Sequence, residues 1–131
     1  MLFKDRHDAG RRLAAALQAY RGKGVLVMAV PRGGVIVAGP VAESLAAPLD
    51  VVIPRKVGLP GNPELAVAAV APGGTVIYNE HLLRTLNLRR EELKPAVDRE
   101  QVEIKRRLQA YRGQARQAEL TGRIVIVVDD G

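Results

Sequence analysis

Two glycines and an arginine form the first group of residues in this sequence that could do chemistry. Arg32, Gly33 and Gly34 come directly after an apolar run and before a stretch with helical spacing. Peptide N–H groups at a helix start can bind an anion, and glycine lets that anion approach the backbone closely. The segment therefore predicts a phosphate or diphosphate site, or else an ordinary strand-to-helix turn with a solvated arginine.

Two further segments carry charged side chains directly after an apolar run. Arg55 and Lys56 follow the second run and would place two cations beside the anion, unless they are ordinary solvated charges at a strand end. Asp129 and Asp130 follow the third run. Adjacent carboxylates can accept hydrogen bonds from a vicinal diol or help to hold a hydrated Mg²⁺ ion. An Asp-Asp pair is also a common start of a loop.

The elements that must position these residues alternate between helices and strands. Apolar residues recur every three or four positions in 8–20 and in 35–47, which predicts two helices. Pro40 would either kink the second helix or mark its true start. Apolar runs predict three strands, of which the first is unbroken and typical of a strand buried on both faces. These runs are residues 25–30, 49–53 and 124–128.

The middle of the chain has a different character. Three prolines and two glycines within residues 54–63 predict a loop. A Pro-Gly-Gly turn between two short apolar runs predicts a hairpin, so that residues 54–78 would form a mobile loop and a hairpin. The charged stretch 89–112 keeps apolar residues at helical spacing and predicts a long surface helix, broken near Lys94 with Pro95 in a first turn.

These elements predict one α/β domain over residues 1–131, with a parallel sheet core and an excursion made of the hairpin and the long helix. Ligands of such sheets bind beyond the carboxyl ends of the strands. We therefore expect the three charged segments to meet at one edge of the sheet.

Composition argues against several classes of function. No apolar run approaches the ~20 residues of a membrane helix, and the chain has no cysteine. We therefore expect a cytoplasmic protein without membrane contact. The formal charge of +6 favours an anionic partner. Because aromatic residues make up only 3% and acids are interleaved with the cations of residues 89–112, nucleic acid is not the expected partner.

Metal-binding and hydrolytic patterns are weak. His7 and His81 have no second histidine or cysteine at ligand spacing and are expected at the surface or at helix caps. Ser44 is the only serine and lies in an apolar helical stretch, which argues against a hydrolytic nucleophile.

Four segments together resemble the type I phosphoribosyltransferase family, and within it a branch that begins Phe-x-Asp-Arg-x-x-Ala-Gly. The opening residues 3–10 resemble that start, and residues 31–35 resemble the family's pyrophosphate loop. Residues 55–64 resemble the start of a mobile catalytic loop, and residues 125–131 resemble the first half of the phosphoribosyl-pyrophosphate signature. One departure is Ala68, which stands where the branch usually has glycine.

The resemblance implies a Rossmann-like parallel sheet and a transfer of ribose 5-phosphate from phosphoribosyl pyrophosphate to an unidentified nitrogenous base, with Mg²⁺. It implies that Arg32, Gly33 and Gly34 bind the pyrophosphate. Arg55 and Lys56 would offset its charge as catalytic residues and a lid over residues 58–63 would exclude water. Asp129 and Asp130 would hold the ribose and Mg²⁺, with no direct metal ligand assigned.

The family signature normally continues into a turn that binds the 5′-phosphate, and the family fold continues with further strands. We therefore expect the C-terminal part of the fold to be missing and this chain to bind weakly, with little or no turnover. The last strand would present a bare edge, which favours a homodimer. A non-catalytic regulatory or nucleic-acid-binding module on the same fold is the alternative.

Overall fold

A computed structural model describes residues 2–112 and 120–131. The chain divides into two compact units, the first formed by residues 1–52 and 115–131 and the second by residues 53–114. Each unit contains one three-stranded sheet. In chain order the helices and strands are α1 (Arg6–Ala16), β1 (Leu26–Ala29), α2 (Gly33–Ser44), β2 (Leu49–Val51), β3 (Arg55–Leu59), β4 (Asn62–Val70), β5 (Val76–Tyr78), α3 (Glu80–Thr85), α4 (Arg90–Arg112) and β6 (Val125–Val128).

The first unit is built on a parallel sheet with the strand order β2-β1-β6. All four residues of β1 are buried, because both faces of the central strand are covered. The predicted strand, helix and strand of the first half of the chain are therefore confirmed as a βαβ unit. Among the described residues β6 pairs with β1 alone, and Val127 of this edge strand is 61% exposed.

Helix α1 begins at a well-defined cap. The Asp5 carboxylate accepts a 2.7 Å hydrogen bond from the backbone N–H of Asp8, which satisfies a donor of the first turn. The backbone N–H of Lys4 in turn donates to the buried Asp8 carboxylate and lowers its pKa, with help from Arg12 and Arg11. The start of α1 is thus held by hydrogen bonds on both sides of the cap.

Helices α1 and α2 pack closely, and a glycine makes this approach possible. A Cβ atom on Gly10 would overlap the backbone carbonyl oxygen of Val37 and would lie 2.9 Å from Cγ of Pro40. Val37, Val41 and Leu45 are buried at the predicted helical spacing. Helix α2 starts two residues earlier than predicted and runs through Pro40, so the prediction that Pro40 marks the helix start is wrong.

The second unit contains an antiparallel sheet with the order β3-β4-β5. The predicted hairpin around the Pro-Gly-Gly turn is confirmed by the pairing of β4 with β5. Leu93 and Ile104 of α4 are almost fully buried in a core with residues of β3 and β4, among them Val57 and Val67. The excursion of hairpin and long helix therefore has a hydrophobic core of its own.

Two predictions for this unit are wrong. Residues 55–59 form strand β3 rather than part of a loop, because the prolines and glycines stand at places that a hairpin tolerates. Pro54 precedes the strand, Gly61 takes the positive φ of the turn, and the irregular register of the hairpin accommodates Pro63. Helix α4 is continuous across residue 95, and the helix α3 before it was not predicted.

The described residues include no helix long and apolar enough to cross a membrane. The side chains of His7 and His81 are exposed, as expected.

Candidate functional site

The turn between β1 and α2 places a helix start at the carboxyl end of the central strand. Strand β1 ends at Ala29, and the backbone N–H of Val30 still donates to the carbonyl of Val128 at 2.9 Å. The Pro31–Arg32 peptide bond is cis. Helix α2 begins at Gly33 without a side-chain hydrogen bond from its cap residue Arg32. The Arg32 side chain therefore does not cap the first N–H groups of α2. Together with the positive end of the helix dipole, these N–H groups are suited to binding an anion.

The two glycines of this turn lie directly against the end of β6. A Cβ atom on Gly34 would lie 2.9 Å from the carbonyl oxygen of Val128 and 3.3 Å from Cα of Asp129. A Cβ atom on Gly33 would overlap the carboxylate of Asp130. Neither glycine has a positive φ, so close approach is what distinguishes them: Gly34 lies against the backbone of β6, and Gly33 lies against the movable side chains of Asp130 and Arg6. The structure brings the predicted anion-binding turn and the predicted acidic pair into contact.

An arginine that had no predicted role completes this group. Arg6, the first residue of α1, donates to Oδ2 of Asp130 through Nε at 3.0 Å and contacts the same oxygen through Nη2 at 2.9 Å. The hydrogen bond from Arg6 lowers the pKa of the Asp130 carboxyl. Arg6 is part of the Phe-x-Asp-Arg opening, but its spacing of 124 residues from Asp130 leaves no local pattern that could have shown the pairing.

Asp129 is exposed beside this pair. Its Oδ1 accepts a 2.8 Å hydrogen bond from the backbone N–H of Asp130, which fixes the orientation of the acidic segment. The two carboxylates and the Arg6 guanidinium therefore carry a net charge of about −1 at neutral pH. Hydrogen-bond donors such as sugar hydroxyls are suitable partners for these carboxylates.

A cavity of about 420 Å³ adjoins the acidic pair. Ala9 and Leu13 of α1 and Val37 of α2 contribute an apolar wall, while Arg6 and the two aspartates contribute the polar one. This volume lies in the range of small-molecule sites. Asp130 lines this cavity, and its carboxylate also lies against Gly33 in the turn before α2.

Arg55 and Lys56 lie in the second unit, and the structure corrects their expected setting. They do not directly follow the second parallel strand, because β2 ends at Val51 and Arg55 begins the antiparallel sheet. Nε of Arg55 donates to Oε2 of Glu100 on α4 at 2.7 Å, and this bond raises the pKa of the arginine. Lys56 is exposed.

The acidic pair can be compared with the needs of Mg²⁺. The described residues contain no group of three or more histidine, cysteine, aspartate or glutamate side chains that could hold a metal ion. Mg²⁺ commonly keeps several waters and binds one or two carboxylates together with substrate phosphates. Asp129 and Asp130 therefore fit an ion that arrives with a phosphorylated substrate, and they do not form a complete protein cage.

Comparison with known proteins gives the class to which this fold and site belong. The phosphoribosyl transferase domain profile matches residues 3–131. The chain therefore belongs to the phosphoribosyl transferase domain family, and the resemblance inferred from its motifs is confirmed.

Relatives agree with this assignment. "Putative phosphoribosyl transferase Rv0571c" and "Putative phosphoribosyl transferase MT0597", from two strains of Mycobacterium tuberculosis, are each 47% identical over 131 residues. The match covers 99% of this chain but only 29% of each relative. The crystal structure of TT1426 from Thermus thermophilus is 41% identical with a TM-score of 0.82, covering 100% of this chain and 62% of that one. The predicted α/β fold with a parallel sheet is thereby confirmed.

Proposed function

We propose that this phosphoribosyltransferase-type domain binds phosphoribosyl pyrophosphate with Mg²⁺ and contributes to the transfer of ribose 5-phosphate to a nitrogenous base. The observation that carries the proposal is the contact between the Gly33-Gly34 helix start and the Asp129-Asp130 pair. This contact supports a proposed site for an anion beside a proposed site for hydroxyl donors. A sugar that carries a diphosphate on its anomeric carbon presents both kinds of group on one small molecule.

The turn before α2 is the proposed binding site of the diphosphate. The backbone N–H groups of Gly33 and Gly34 and the positive end of the α2 dipole would stabilise its negative charge. That charge grows during the reaction because the bond between the anomeric carbon and the diphosphate oxygen breaks with its electron pair on the oxygen. The Arg32 side chain is exposed at this end and offers a further cation.

The acidic pair is the proposed binding site of the ribose. The carboxylates of Asp129 and Asp130 would accept hydrogen bonds from the two ribose hydroxyls and fix the ring against the turn. The base nitrogen then attacks the anomeric carbon, and a proton leaves that nitrogen as the new bond forms. Orientation of the sugar and electrostatic stabilisation of the leaving group are the main contributions of these residues.

Mg²⁺ would supply a positive charge to the diphosphate and the ribose oxygens when it is bound with the substrate. Asp129 and Asp130 are the residues of this chain that would hold it, directly or through water. The family resemblance implies that Arg55 and Lys56 offset the negative charge of the diphosphate as catalytic residues. In the structure both belong to the second unit, where Nε of Arg55 contacts Oε2 of Glu100 at 2.7 Å.

Calorimetric titration of the chain with phosphoribosyl pyrophosphate and MgCl₂ tests the proposal. Asp130→Asn removes a charged acceptor, and hydrogen bonds to charged groups contribute about 1.5–3 kcal/mol, so affinity should fall roughly 10- to 150-fold. Asp98→Asn is the matched control, because this exposed aspartate pairs with Lys94 within α4. Its affinity should equal that of the unaltered chain.

Ribose 5-phosphate and diphosphate are titrated separately to show which part of the substrate is bound. Weaker binding of each fragment than of the whole substrate is expected, since each occupies half of the site. Absence of binding at millimolar phosphoribosyl pyrophosphate, or equal affinity of Asp130→Asn and the unaltered chain, would exclude the site.

A further inference from the structure

We propose that Arg6 is a positioning residue for substrate binding, acting through the Asp130 carboxylate. The inference rests on the proposed function and adds a residue from a part of the chain far from the phosphoribosyl-pyrophosphate signature. Its basis is a junction at which Arg6, Gly33 and Asp130 meet, one from the start of α1, one from the start of α2 and one from the segment after β6.

The guanidinium reaches Asp130 from a fixed position. Arg6 is the first residue of α1, directly after the Asp5 cap. The buried carboxylate of Asp8, which accepts from the backbone of Lys4, anchors the same turn. Further along the helix, close packing at Gly10 holds α1 against α2. The Arg6 backbone is therefore fixed relative to the anion-binding turn, although its side chain is 57% exposed.

The arginine also fixes the direction of the carboxylate. Nε and Nη2 both bind Oδ2, so the guanidinium fixes the position of this carboxylate oxygen by two contacts. A Cβ atom on Gly33 would overlap Asp130 and would lie 2.6 Å from Nε of Arg6, so the turn touches both partners of the pair. An acceptor oriented before the ligand arrives loses less freedom when it binds a hydroxyl.

The charge of Arg6 has a second effect at this junction. A diphosphate at the start of α2 and the carboxylates of Asp129 and Asp130 are anions at close range, and like charges repel. The Arg6 guanidinium contacts Asp130 in this acidic segment, and its positive charge offsets part of that repulsion. One residue thus makes an anion-binding turn compatible with an adjacent acidic pair.

A double-mutant cycle measured by calorimetry with phosphoribosyl pyrophosphate and MgCl₂ tests this role. Arg6→Gln alone should weaken binding about tenfold, a coupling of the size found between contacting residues. In the Asp130→Asn background the same substitution should change affinity less than twofold, because the residue through which Arg6 acts is already neutral. Arg11→Gln is the control, since Arg11 has the same charge on the same helix but contacts Asp8 and His7.

A spectroscopic measurement on the free chain separates this inference from the proposed function. The carboxyl ¹³C chemical shift of Asp130, measured at neutral pH without ligand, should differ between Arg6→Gln and the unaltered chain and should not change in Arg11→Gln. The other charged groups at this junction are Asp129 beside Asp130, Asp5 in the cavity wall and Arg32 before α2. None of them is altered by the two substitutions, and circular dichroism verifies that both variants fold.

The outcomes distinguish the two proposals. Lack of binding by the unaltered chain overturns the proposed function together with the inference. Equal affinity of Arg6→Gln and the unaltered chain, an unchanged carboxyl ¹³C shift of Asp130, or effects of Arg6→Gln and Asp130→Asn that multiply independently would each overturn the role of Arg6 while the proposed function stands.

Discussion

Replacement of Gly33 by alanine should weaken substrate binding and leave the free energy of unfolding almost unchanged. The new methyl group would occupy the position of the Asp130 carboxylate and approach Nε of Arg6 at 2.6 Å. Both obstacles are ends of side chains, which can rotate away at small cost. The exposed Arg6–Asp130 ion pair contributes only about 0–1 kcal/mol. The free energy of unfolding should therefore change by less than ~1 kcal/mol.

Substrate affinity should respond far more strongly to the same substitution. Rotation of the Asp130 carboxylate removes at least one charged hydrogen bond to the ribose, of about 1.5–3 kcal/mol, so affinity should fall roughly 10- to 150-fold. Calorimetry with phosphoribosyl pyrophosphate and MgCl₂ measures this change in affinity. A thermal melt measures the change in stability, because Tm shifts by about 4 °C for each kcal/mol in a chain of this length.

Gly39→Ala is the matched control, because it lies in the same helix and a Cβ atom there meets no atom within 4 Å. It should leave affinity unchanged, and the same melt records its own effect on stability. Binding of the substrate by Gly33→Ala as tightly as by Gly39→Ala would refute the proposed contact between the turn and the ribose site.

Two further predictions concern stability. Gly10→Ala should destabilise the first unit by about 1–3 kcal/mol in urea unfolding, because its methyl group meets the backbone carbonyl of Val37; unchanged or increased stability would contradict this close packing of α1 on α2. The pKa of Glu103 is lowered from 4.5 to about 2 by hydrogen bonds from Arg106 and Arg107, so the stabilisation from its charge is present above pH 4.5 and is lost as the pH falls towards 2. The urea concentration at the unfolding midpoint should therefore fall less between pH 5 and pH 2 in Glu103→Gln than in the unaltered chain. An equal fall in both chains would show that the charge of Glu103 is not the source of this pH dependence.

Much of the first unit could be predicted from the sequence because its signals are local. The unbroken apolar run at 25–30 has no polar face, which is compatible only with burial on both sides, and β1 is buried in this way. The glycines directly after that run predicted a close approach of an anion to the backbone. The close approach that the structure shows is that of the end of β6, which no local pattern indicated.

The remaining features depend on contacts that no local pattern encodes. Strand β3 was predicted as a loop because residue counts cannot show that each proline stands at the end of a strand or in the irregular part of the hairpin. Helix α4 continues through Pro95, since the buried residues Leu93 and Val97 on either side are held in the core of the second unit. The pairing of Arg6 with Asp130 exists only after the two ends of the described chain have folded together.

The first unit is discontinuous along the chain, and this has a consequence for its synthesis. Its central strand pairs with residues 125–128, which a ribosome adds about a hundred residues later, while the second unit is one continuous segment. Until then, one side of β1 has no strand to pair with, and its backbone can recruit other chains. The second unit can therefore fold first during translation, and completion of the proposed substrate site is delayed until Asp130 has emerged.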